Sequence, residues 1–358
     1  MASLSRIACA RDLTEQVYQR LLHAICDGEL APGARLTQDE LAAALAISRQ
    51  RVLQALRLLK KDGFVIDAGR SGSAGGDSMK LMQEQLEQFD RDGYLFFPSL
   101  FTPAEIRVLI DEVPRLYAQR RPENVREKGS DAVRTNFAAH MYSYPFARLA
   151  RHPRMVKPVM QIFGEPVYMH QFKINGKMAF EGDLWQWHQD YGTWKNDDLM
   201  PEARAMNVAI FLDEVNEFNG PLMFIPGSHK LGVLDAEHDV MTTSYPLWTI
   251  THDTIRQLIE RGGIVAPKGP SGSMILFHGC LVHASTANLS PWNRVSVYLS
   301  LCAVSNHIRR FKRPEYIAHR DFTPIQCLPD DCLLRDYDVP LPWKDGTPES
   351  ALQPMLAS

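Results

Sequence analysis

Three side chains have the types and spacing of metal ligands, namely His188, Asp190 and His283. His188 and Asp190 are two residues apart, so both would point to the same side of an extended segment. His283 follows the apolar run 272–277, and we expect it on a neighbouring strand. Two imidazoles and one carboxylate leave three coordination positions open, which suits an Fe(II) ion that must hold a co-substrate and O2 together. Zinc is the alternative ion, because it binds the same ligand types.

Arg294 favours the iron interpretation over zinc. It lies eleven residues after His283, at the start of the next apolar run. A dicarboxylate co-substrate such as 2-oxoglutarate needs a cation at its far end, and arginine offers a planar fork that donates two hydrogen bonds to one carboxylate. The alternative for a single arginine is a surface salt bridge. The pattern therefore predicts chemistry that uses Fe(II), 2-oxoglutarate and O2.

The elements that must position these residues are short β-rich runs separated by Gly, Pro and Asn turns. Such runs, preceded by a helix at 81–91, indicate a sandwich or jelly roll with helices outside it. The acidic residues Asp197, Asp198 and Glu202 are expected in a solvated loop rather than in a second metal site. The predicted strands are 165–175, 205–213, 272–279 and 294–304.

Residues 71–78 are rich in Gly and Ser and lack apolar periodicity, so they are predicted to form a flexible linker. They separate a head, residues 1–70, from a body, residues 79–358. The chain is 45% hydrophobic and 23% charged, which argues against disorder, collagen and coiled coil. The predicted fold class is α+β, with a small winged helix-turn-helix domain followed by a jelly-roll domain with flanking helices.

The head is predicted to contain three helices, at 13–26, 38–45 and 49–61, and a β-wing that begins at 64–66. Thr37 and Glu40 have the spacing of a capping box that opens the second helix. The third helix is basic, and its arginines could contact phosphates and base edges in a DNA major groove. The alternative is a basic helix that is merely solvated. The candidate DNA-binding residues are Arg49, Arg51 and Arg57.

The head resembles the winged-helix domain of GntR-type transcription regulators along nearly its whole length. The matching pieces are the turn DGELAPGARL at 27–36, the helix LTQDELAAAL at 36–45 and the recognition helix SRQRVLQALRLL at 48–59. The resemblance implies double-stranded DNA as a partner. The chain departs from the family at Arg51 and Gln54, where Pro and Glu are common. Whether specific DNA binding is retained stays open at this point.

The body resembles the phytanoyl-CoA dioxygenase superfamily, and within it the ectoine hydroxylases. The resemblance is densest in the run 185–230, which begins WQWHQDYGTW, and in VHASTANLSPWNRVSVYLSL at 282–301. It implies a catalytic iron bound by His188, Asp190 and His283. It also implies 2-oxoglutarate binding by Arg294, with Ser285 and Asn175 nearby.

On the substrate side, the resemblance implies roles for Gln171, Lys173 and Trp194. The family has a Gln-x-Arg pair where this chain has Gln171-Phe172-Lys173, so the charge is kept but the bidentate fork is lost. Trp185 stands where the family has Phe, which would narrow the cavity. These residues indicate a small zwitterionic or carboxylate substrate, such as an amino-acid derivative, rather than ectoine itself. Nothing in the sequence indicates an acyl-CoA site.

The leading hypothesis is an Fe(II)/2-oxoglutarate-dependent hydroxylase with a DNA-binding type of head. The alternative is a GntR-type transcription regulator that uses the dioxygenase-like body as a ligand sensor. The six cysteines have no paired spacing, and neither a secretory signal nor a membrane span is evident. We therefore expect a cytoplasmic protein with no membrane partner. The sequence allows a homodimer.

Overall fold

The computed structural model describes residues 13–26, 30, 37–61 and 79–343. The chain separates into two compact units, Met1–Gly75 and Gly76–Ser358, which contain the head and the body respectively. The predicted β-wing at 64–66 and the predicted linker at 71–78 lie outside the described residues. Among the helices of the described ranges, none is long and apolar enough to cross a membrane.

The head contains the three helices that the sequence predicts: α1 (Leu13–Cys26), α2 (Gln38–Ala44) and α3 (Arg49–Lys61). The Thr37 hydroxyl accepts the backbone N–H of Glu40 and donates to the Glu40 carboxylate, so the helix start is capped as expected. Helices α1 and α3 pack together through a small apolar cluster. Its fully buried members are Val17, Leu21, Ala55 and Leu59.

The body is built around two antiparallel sheets in its described part. The large sheet has the order β1-β10-β6-β12-β4-β3-β2, and the small sheet has the order β7-β11-β5-β9-β8. This arrangement with its flanking helices confirms the predicted α+β jelly roll. The strands are β1 (Tyr94–Phe97), β2 (Asn124–Arg126), β3 (Val133–Phe137), β4 (Val167–Lys177), β5 (Trp185–His188), β6 (Ala205–Phe211), β7 (Leu222–Phe224), β8 (Glu237–Asp239), β9 (Leu247–Thr249), β10 (Met274–His278), β11 (His283–Ser285) and β12 (Arg294–Ala303).

The predicted strands and the one predicted helix of the body lie close to their expected positions. The four predicted strands correspond to β4, β6, β10 and β12, with ends within two residues of the expected ones. The predicted helix at 81–91 corresponds to the first helix of the body. The helices are α4 (Gln83–Asp92), α5 (Pro103–Ile110), α6 (Val113–Tyr117), α7 (Tyr144–Leu149), α8 (Pro153–Phe163), α9 (Asp190–Asp198) and α10 (His252–Gly262).

The large sheet packs against apolar clusters on both faces, and alternate residues of β6 belong to different clusters. On β6, Val208 and Ile210 join the cluster that packs against the helices, whereas Ala209 and Phe211 join the cluster that includes the small sheet. Phe277 of β10 and Phe224 of β7 bring the two sheets together, with ring centroids 5.2 Å apart. The alternation follows from the two-residue period of a strand. The space between the sheets is therefore where inward-facing polar side chains must meet.

Strand β4 carries the polar side chains that face this space. It pairs with β12 along ten residues of that strand, so its position is fixed in the middle of the large sheet. Phe172 and Ile174 point into the helix-covered core. The intervening residues line a cavity between the sheets: Gln171, Lys173, Asn175 and Lys177.

Candidate metal centre and substrate pocket

His188 and His283 come from two paired strands of the small sheet. His188 ends β5, His283 begins β11, and the two residues are direct partners in the antiparallel register. Both side chains are buried, and their ring centroids are 4.1 Å apart. The expectation that His283 lies on a strand next to His188 is therefore confirmed.

Asp190 reaches the same point from the start of a helix rather than from a strand. Strand β5 ends at His188, and Asp190 is the first residue of α9. The chain stays extended through Gln189, as predicted, and the helix begins only at Asp190 itself, which the sequence argument did not foresee. The carboxylate is fixed by Asn207, whose Nδ2 donates to Asp190 Oδ2 at 2.5 Å. The extended backbone at Gln189 and the helix start at Asp190 together aim this carboxylate.

The protonation states of the three groups suit metal binding. Burial lowers the pKa of His188 to about 3 and also lowers the pKa of His283, so both imidazoles are neutral at pH 7. Burial alone would raise the pKa of Asp190, but Lys173 and the two histidines outweigh it and hold the pKa at about 2. The carboxyl is therefore ionised. Neutral imidazole and carboxylate are the forms that bind metals.

Backbone carbonyls orient both imidazoles. The Nδ1 atom of His188 donates to Gln186 O at 2.6 Å, and that of His283 donates to Leu281 O at 2.9 Å. A carbonyl only accepts, so Nδ1 carries the proton and Nε2 keeps its lone pair. The two Nε2 atoms lie 3.9 Å and 3.5 Å from the nearer carboxylate oxygens of Asp190. Three lone-pair donors therefore converge on one point.

This cluster stands apart from the other acidic and histidine side chains of the described ranges. The ligand atoms of His188, Asp190 and His283 all lie within 4.8 Å of one another, and no other such group of three occurs among the described residues. Two imidazoles and one carboxylate on one face form a facial arrangement that leaves coordination positions open. Zinc accepts the same donors, so the neighbouring groups must distinguish the two ions.

Two buried cations lie at one end of the same cavity. Arg294 begins β12 and is the register partner of Lys177 on β4. One amino group of Arg294 donates to Gly220 O at 2.6 Å, whereas its Nε is buried and meets no acceptor in the described ranges. Lys177 Nζ donates to Asp183 O at 2.6 Å and to Thr286 O.

Neither of these cations has a carboxylate partner among the described residues. The ion pairs found in those ranges include neither Arg294 nor Lys177, although both side chains are nearly inaccessible to solvent. Burial, followed by the charge of Arg294, lowers the pKa of Lys177 well below its usual range. Buried charges are normally paired. The end of the cavity therefore has the electrostatic character of an anion site.

The sequence argument found Arg294 but missed Lys177. The signal was present, because Lys177 continues the two-residue alternation of Gln171, Lys173 and Asn175 on β4. Two further predicted residues lie in the same cavity. Ser285 Oγ is buried and has no hydrogen-bond partner among the described residues, and Asn175 Oδ1 accepts the Thr135 hydroxyl at 3.0 Å.

Gln171 and Trp194 form one hydrogen-bonded unit at the opposite end of the cavity. Trp194 Nε1 donates to Gln171 Oε1 at 3.0 Å, and Gln171 Nε2 donates to Ile317 O at 2.9 Å. Both ends of the Gln171 amide are therefore engaged within the protein. Lys173 lies between the two ends, with Nζ 3.9 Å from Asp190 Oδ1. Trp185 also lines the cavity, and the guanidinium of Arg134 covers its ring at 3.9 Å.

Arg313 is a second residue that the sequence argument missed. It lines the cavity near Trp194, and it forms a two-point ion pair with Asp198, the last residue of α9. His170 Nε2 lies 3.3 Å from the same carboxylate. Burial would raise the pKa of Asp198, but Arg313 and His170 hold it below its usual range. The expectation of a solvated loop is wrong for Asp198, which is fully buried.

Comparisons with known proteins agree with this arrangement. Residues 89–296 match the family model described as phytanoyl-CoA dioxygenase (PhyH), and residues 13–74 match the model described as bacterial regulatory proteins, gntR family. The ectoine dioxygenase of Bordetella bronchiseptica is 34% identical over 278 residues, which cover 74% of this chain and 88% of the relative. The L-proline trans-4-hydroxylase of Streptomyces griseoviridis is 36% identical over 248 residues, or 66% of this chain and 92% of the relative.

Solved structures also show that the body is similar to an ectoine hydroxylase. The crystal structure of EctD from S. alaskensis with 2-oxoglutarate and 5-hydroxyectoine has a TM-score of 0.63 at 32% identity, covering 72% of this chain and 90% of that one. The structure of the same protein with bound Fe has a TM-score of 0.62 at 31% identity, with the same coverage. The chain therefore belongs to the phytanoyl-CoA dioxygenase family of Fe(II)/2-oxoglutarate-dependent enzymes and carries a GntR domain at its N-terminus.

Proposed function

We propose that the protein hydroxylates a small zwitterionic carboxylate, using Fe(II), 2-oxoglutarate and O2. The observation that carries the proposal is the position of a buried His-Asp-His cluster beside two buried cations that lack carboxylate partners in the described ranges. The first feature fits a metal, and the second fits an anionic co-substrate at the same metal. A zinc hydrolase would need only the first.

His188, Asp190 and His283 would hold the iron. The fit rests on the lone pairs of the two neutral imidazoles and on the ionised carboxylate, all three directed at one point. When bound, the iron supplies the O2 activation that drives hydroxylation, whereas the protein supplies position and shielding. Asn207 holds the carboxylate in its orientation and so acts as a positioning residue.

Arg294 and Lys177 would bind the far carboxylate of 2-oxoglutarate. The free Nε of Arg294 and the ammonium of Lys177 supply donors that other described residues do not satisfy with a carboxylate. An incoming dianion would also favour the charged form of Lys177, because a nearby negative charge raises the pKa of a lysine. Ser285, with its unpartnered hydroxyl, offers a further donor in the same cavity.

Lys173 and Arg313 would receive the carboxylate of the substrate. On β4, Lys173 is four residues from Lys177, which corresponds to about 13 Å along a strand. The cavity can therefore hold two different anions, one near Lys177 and one near Lys173. Trp194, Tyr245 and Trp185 supply aromatic surface next to Lys173 and Arg313, and aromatic faces attract a substrate ammonium group. A cation together with aromatic faces is complementary to a zwitterion.

The relatives support this class of substrate. They are named for ectoine and L-proline, which are both small and zwitterionic. Lys173 stands where ectoine hydroxylases have arginine. The proposed substrate is therefore a small zwitterionic carboxylate rather than ectoine itself.

Substrate-dependent formation of succinate tests this proposal. We expect at least one member of a panel of the twenty common amino acids and ectoine to stimulate succinate formation and to gain one oxygen by mass spectrometry. In Lys173→Met, the Michaelis constant for that substrate should rise roughly 10- to 150-fold, because a charge-assisted contact is lost. Lys195→Met, which removes an exposed lysine of α9, is the matched control. A protein that binds iron and 2-oxoglutarate but oxidises no zwitterion would contradict the proposed class.

For the head, we propose binding of double-stranded DNA through α3, which would place the protein in the cytoplasm. Val52, Ala55 and Leu59 bury one face of this helix, while Arg49 and Arg57 lie on its exposed side. A helix with a buried apolar face and an exposed basic face can enter a major groove. The GntR domain match supports this reading. A sensor without catalysis is less well supported, because the body retains the complete donor set.

The salt dependence of DNA binding tests the role of the head. The DNA probe is a duplex from the promoter of the protein's own gene. The logarithm of the association constant of the full chain should fall linearly with the logarithm of the salt concentration, because phosphate contacts release counterions. Replacing Arg49 and Arg57 by alanine should reduce the slope by about one per lost phosphate contact. Arg107→Ala, an exposed arginine of the body, is the control. Equal salt slopes in wild type, in the double variant and in Arg107→Ala would exclude Arg49 and Arg57 as phosphate contacts.

A further inference from the structure

A second, larger cavity lies on the helix-covered face of the large sheet. Its volume is about 280 Å³, and it shares no lining residue with the catalytic cavity. The short 3-10 helix Ala139–Met141, helix α7 and the beginning of β4 form its inner wall, and the segment 315–326 forms its outer wall. The catalytic proposal leaves this cavity without a role.

Two imidazoles in its wall lack partners. Nδ1 of His140 and Nε2 of His319 are buried and make no hydrogen bond with any described residue. The two rings meet edge to face, with centroids 4.8 Å apart. Burial lowers the pKa of both residues, so each neutral ring offers one donor and one acceptor. Buried polar atoms are usually satisfied, so each exception calls for a specific explanation.

The cavity also carries charges of both signs. Arg151 lines it next to His140, whereas Glu315 and Asp321 line it from the outer segment. In the described ranges, none of the ion pairs involves these three side chains, so the charges do not neutralise one another at contact distance. Apolar surface from Met141, Met169 and Ile325 completes the wall.

We infer that this cavity is a second binding site for a small zwitterionic molecule of the amino-acid type. Arg151 and the two imidazoles provide donors for its carboxylate, Glu315 and Asp321 attract its ammonium group, and the methionines contact its side chain. A simple anion would be repelled by the two carboxylates, and a simple cation would leave Arg151 without a partner. The charge pattern therefore selects a molecule that carries both signs.

The second site is connected to the catalytic cavity by one short segment. Arg313 lines the catalytic cavity, Ile317 O accepts from Gln171, and His319 lines the second cavity. The backbone N–H of His319 also donates to His170 O at 3.0 Å, and His170 contacts Asp198. A ligand that orders this segment would change substrate affinity in the catalytic cavity, and the coupling would be reciprocal.

Equilibrium dialysis of the full chain tests the inference directly. The probes are the twenty common amino acids and ectoine at millimolar concentration, with the retained compounds identified by mass spectrometry. We expect one or more probes to bind wild type and to lose roughly tenfold or more in affinity in Arg151→Met, because a charge-assisted contact is removed. Ala150→Phe, which fills the cavity, should abolish the same binding. Arg335→Met, which removes an exposed arginine outside both cavities, is the matched control.

Measurements on Lys173→Met distinguish this site from the catalytic one. Binding at the second site should persist in that variant, and melting temperatures near that of wild type would show that each variant is folded. Should Ala150→Phe fail to fold, the comparison of Arg151→Met with Arg335→Met still decides the outcome. The inference is overturned if no probe binds in a manner that depends on Arg151, or if all binding disappears in Lys173→Met.

Discussion

Replacing Asp190 by alanine is expected to remove the bound iron and to reduce turnover below detection. Asp190 is the single anionic donor of the cluster, and its loss leaves two neutral imidazoles on paired strands. His188→Ala and His283→Ala should have the same effect, since each removes one of three donors. Iron content after anaerobic loading with Fe(II), measured by elemental analysis, provides a readout that does not depend on activity.

Two further variants test the orientation of the Asp190 carboxylate and provide a control for iron binding. Asn207→Leu removes the hydrogen bond that orients Asp190, and losses of this kind typically cost 10- to 100-fold in metal affinity, so about that range is expected. Asp197→Ala changes a carboxylate of the same helix outside the cluster and should bind iron like wild type. Normal iron content and full activity in all three donor variants would show that the cluster is not the metal site.

Replacing Arg294 by alanine is expected to raise the apparent Michaelis constant for 2-oxoglutarate by roughly 30-fold to several thousand-fold. This range corresponds to about 2–5 kcal/mol for a charge-assisted contact in a buried pocket. Arg294→Lys should recover part of the loss, because a point charge replaces a planar fork. Iron content should be unchanged, since Arg294 lies outside the donor cluster. The measurement is the dependence of succinate formation on 2-oxoglutarate concentration.

The control for this prediction is Arg256→Ala, an exposed arginine of α10. It removes the same charge from the surface and should leave the Michaelis constant as in wild type. A similar constant in Arg294→Ala and wild type would exclude Arg294 as the anchor of the co-substrate. It would also leave the buried cation pair at that end of the cavity without a functional explanation.

Much of the fold follows from local sequence patterns. The head helices were predictable because their apolar residues recur at helical spacing and Thr37 caps α2. The central strands were predictable because long apolar runs such as 294–304 are typical of strands buried on both faces. Short strands such as β5 and β11 depend on long-range pairing, and local propensity identifies such elements poorly.

The candidate site was also predictable only in part, because some of its features depend on contacts between distant segments. The cluster His188, Asp190 and His283 was visible in the residue types, but the helix start at Asp190 was not, because the position of its N-cap residue Gln189 is set by distant segments. Gln189 donates to Gly232 O and Cys280 O, two segments distant in sequence. The pairing of Asp198 with Arg313 depends on residues 115 positions apart. No local pattern indicates a contact of that kind.

The most direct test of the central claim is an anaerobic titration of the full chain with Fe(II) and 2-oxoglutarate, followed by visible absorption. If the cluster holds iron and the adjacent cations hold the co-substrate, a charge-transfer band should appear only when both are present and should saturate near one equivalent of each. Asp190→Ala should show no band, and Arg294→Ala should require much more 2-oxoglutarate to reach it. Absence of the band in the wild-type chain at saturating Fe(II) and 2-oxoglutarate would contradict the account.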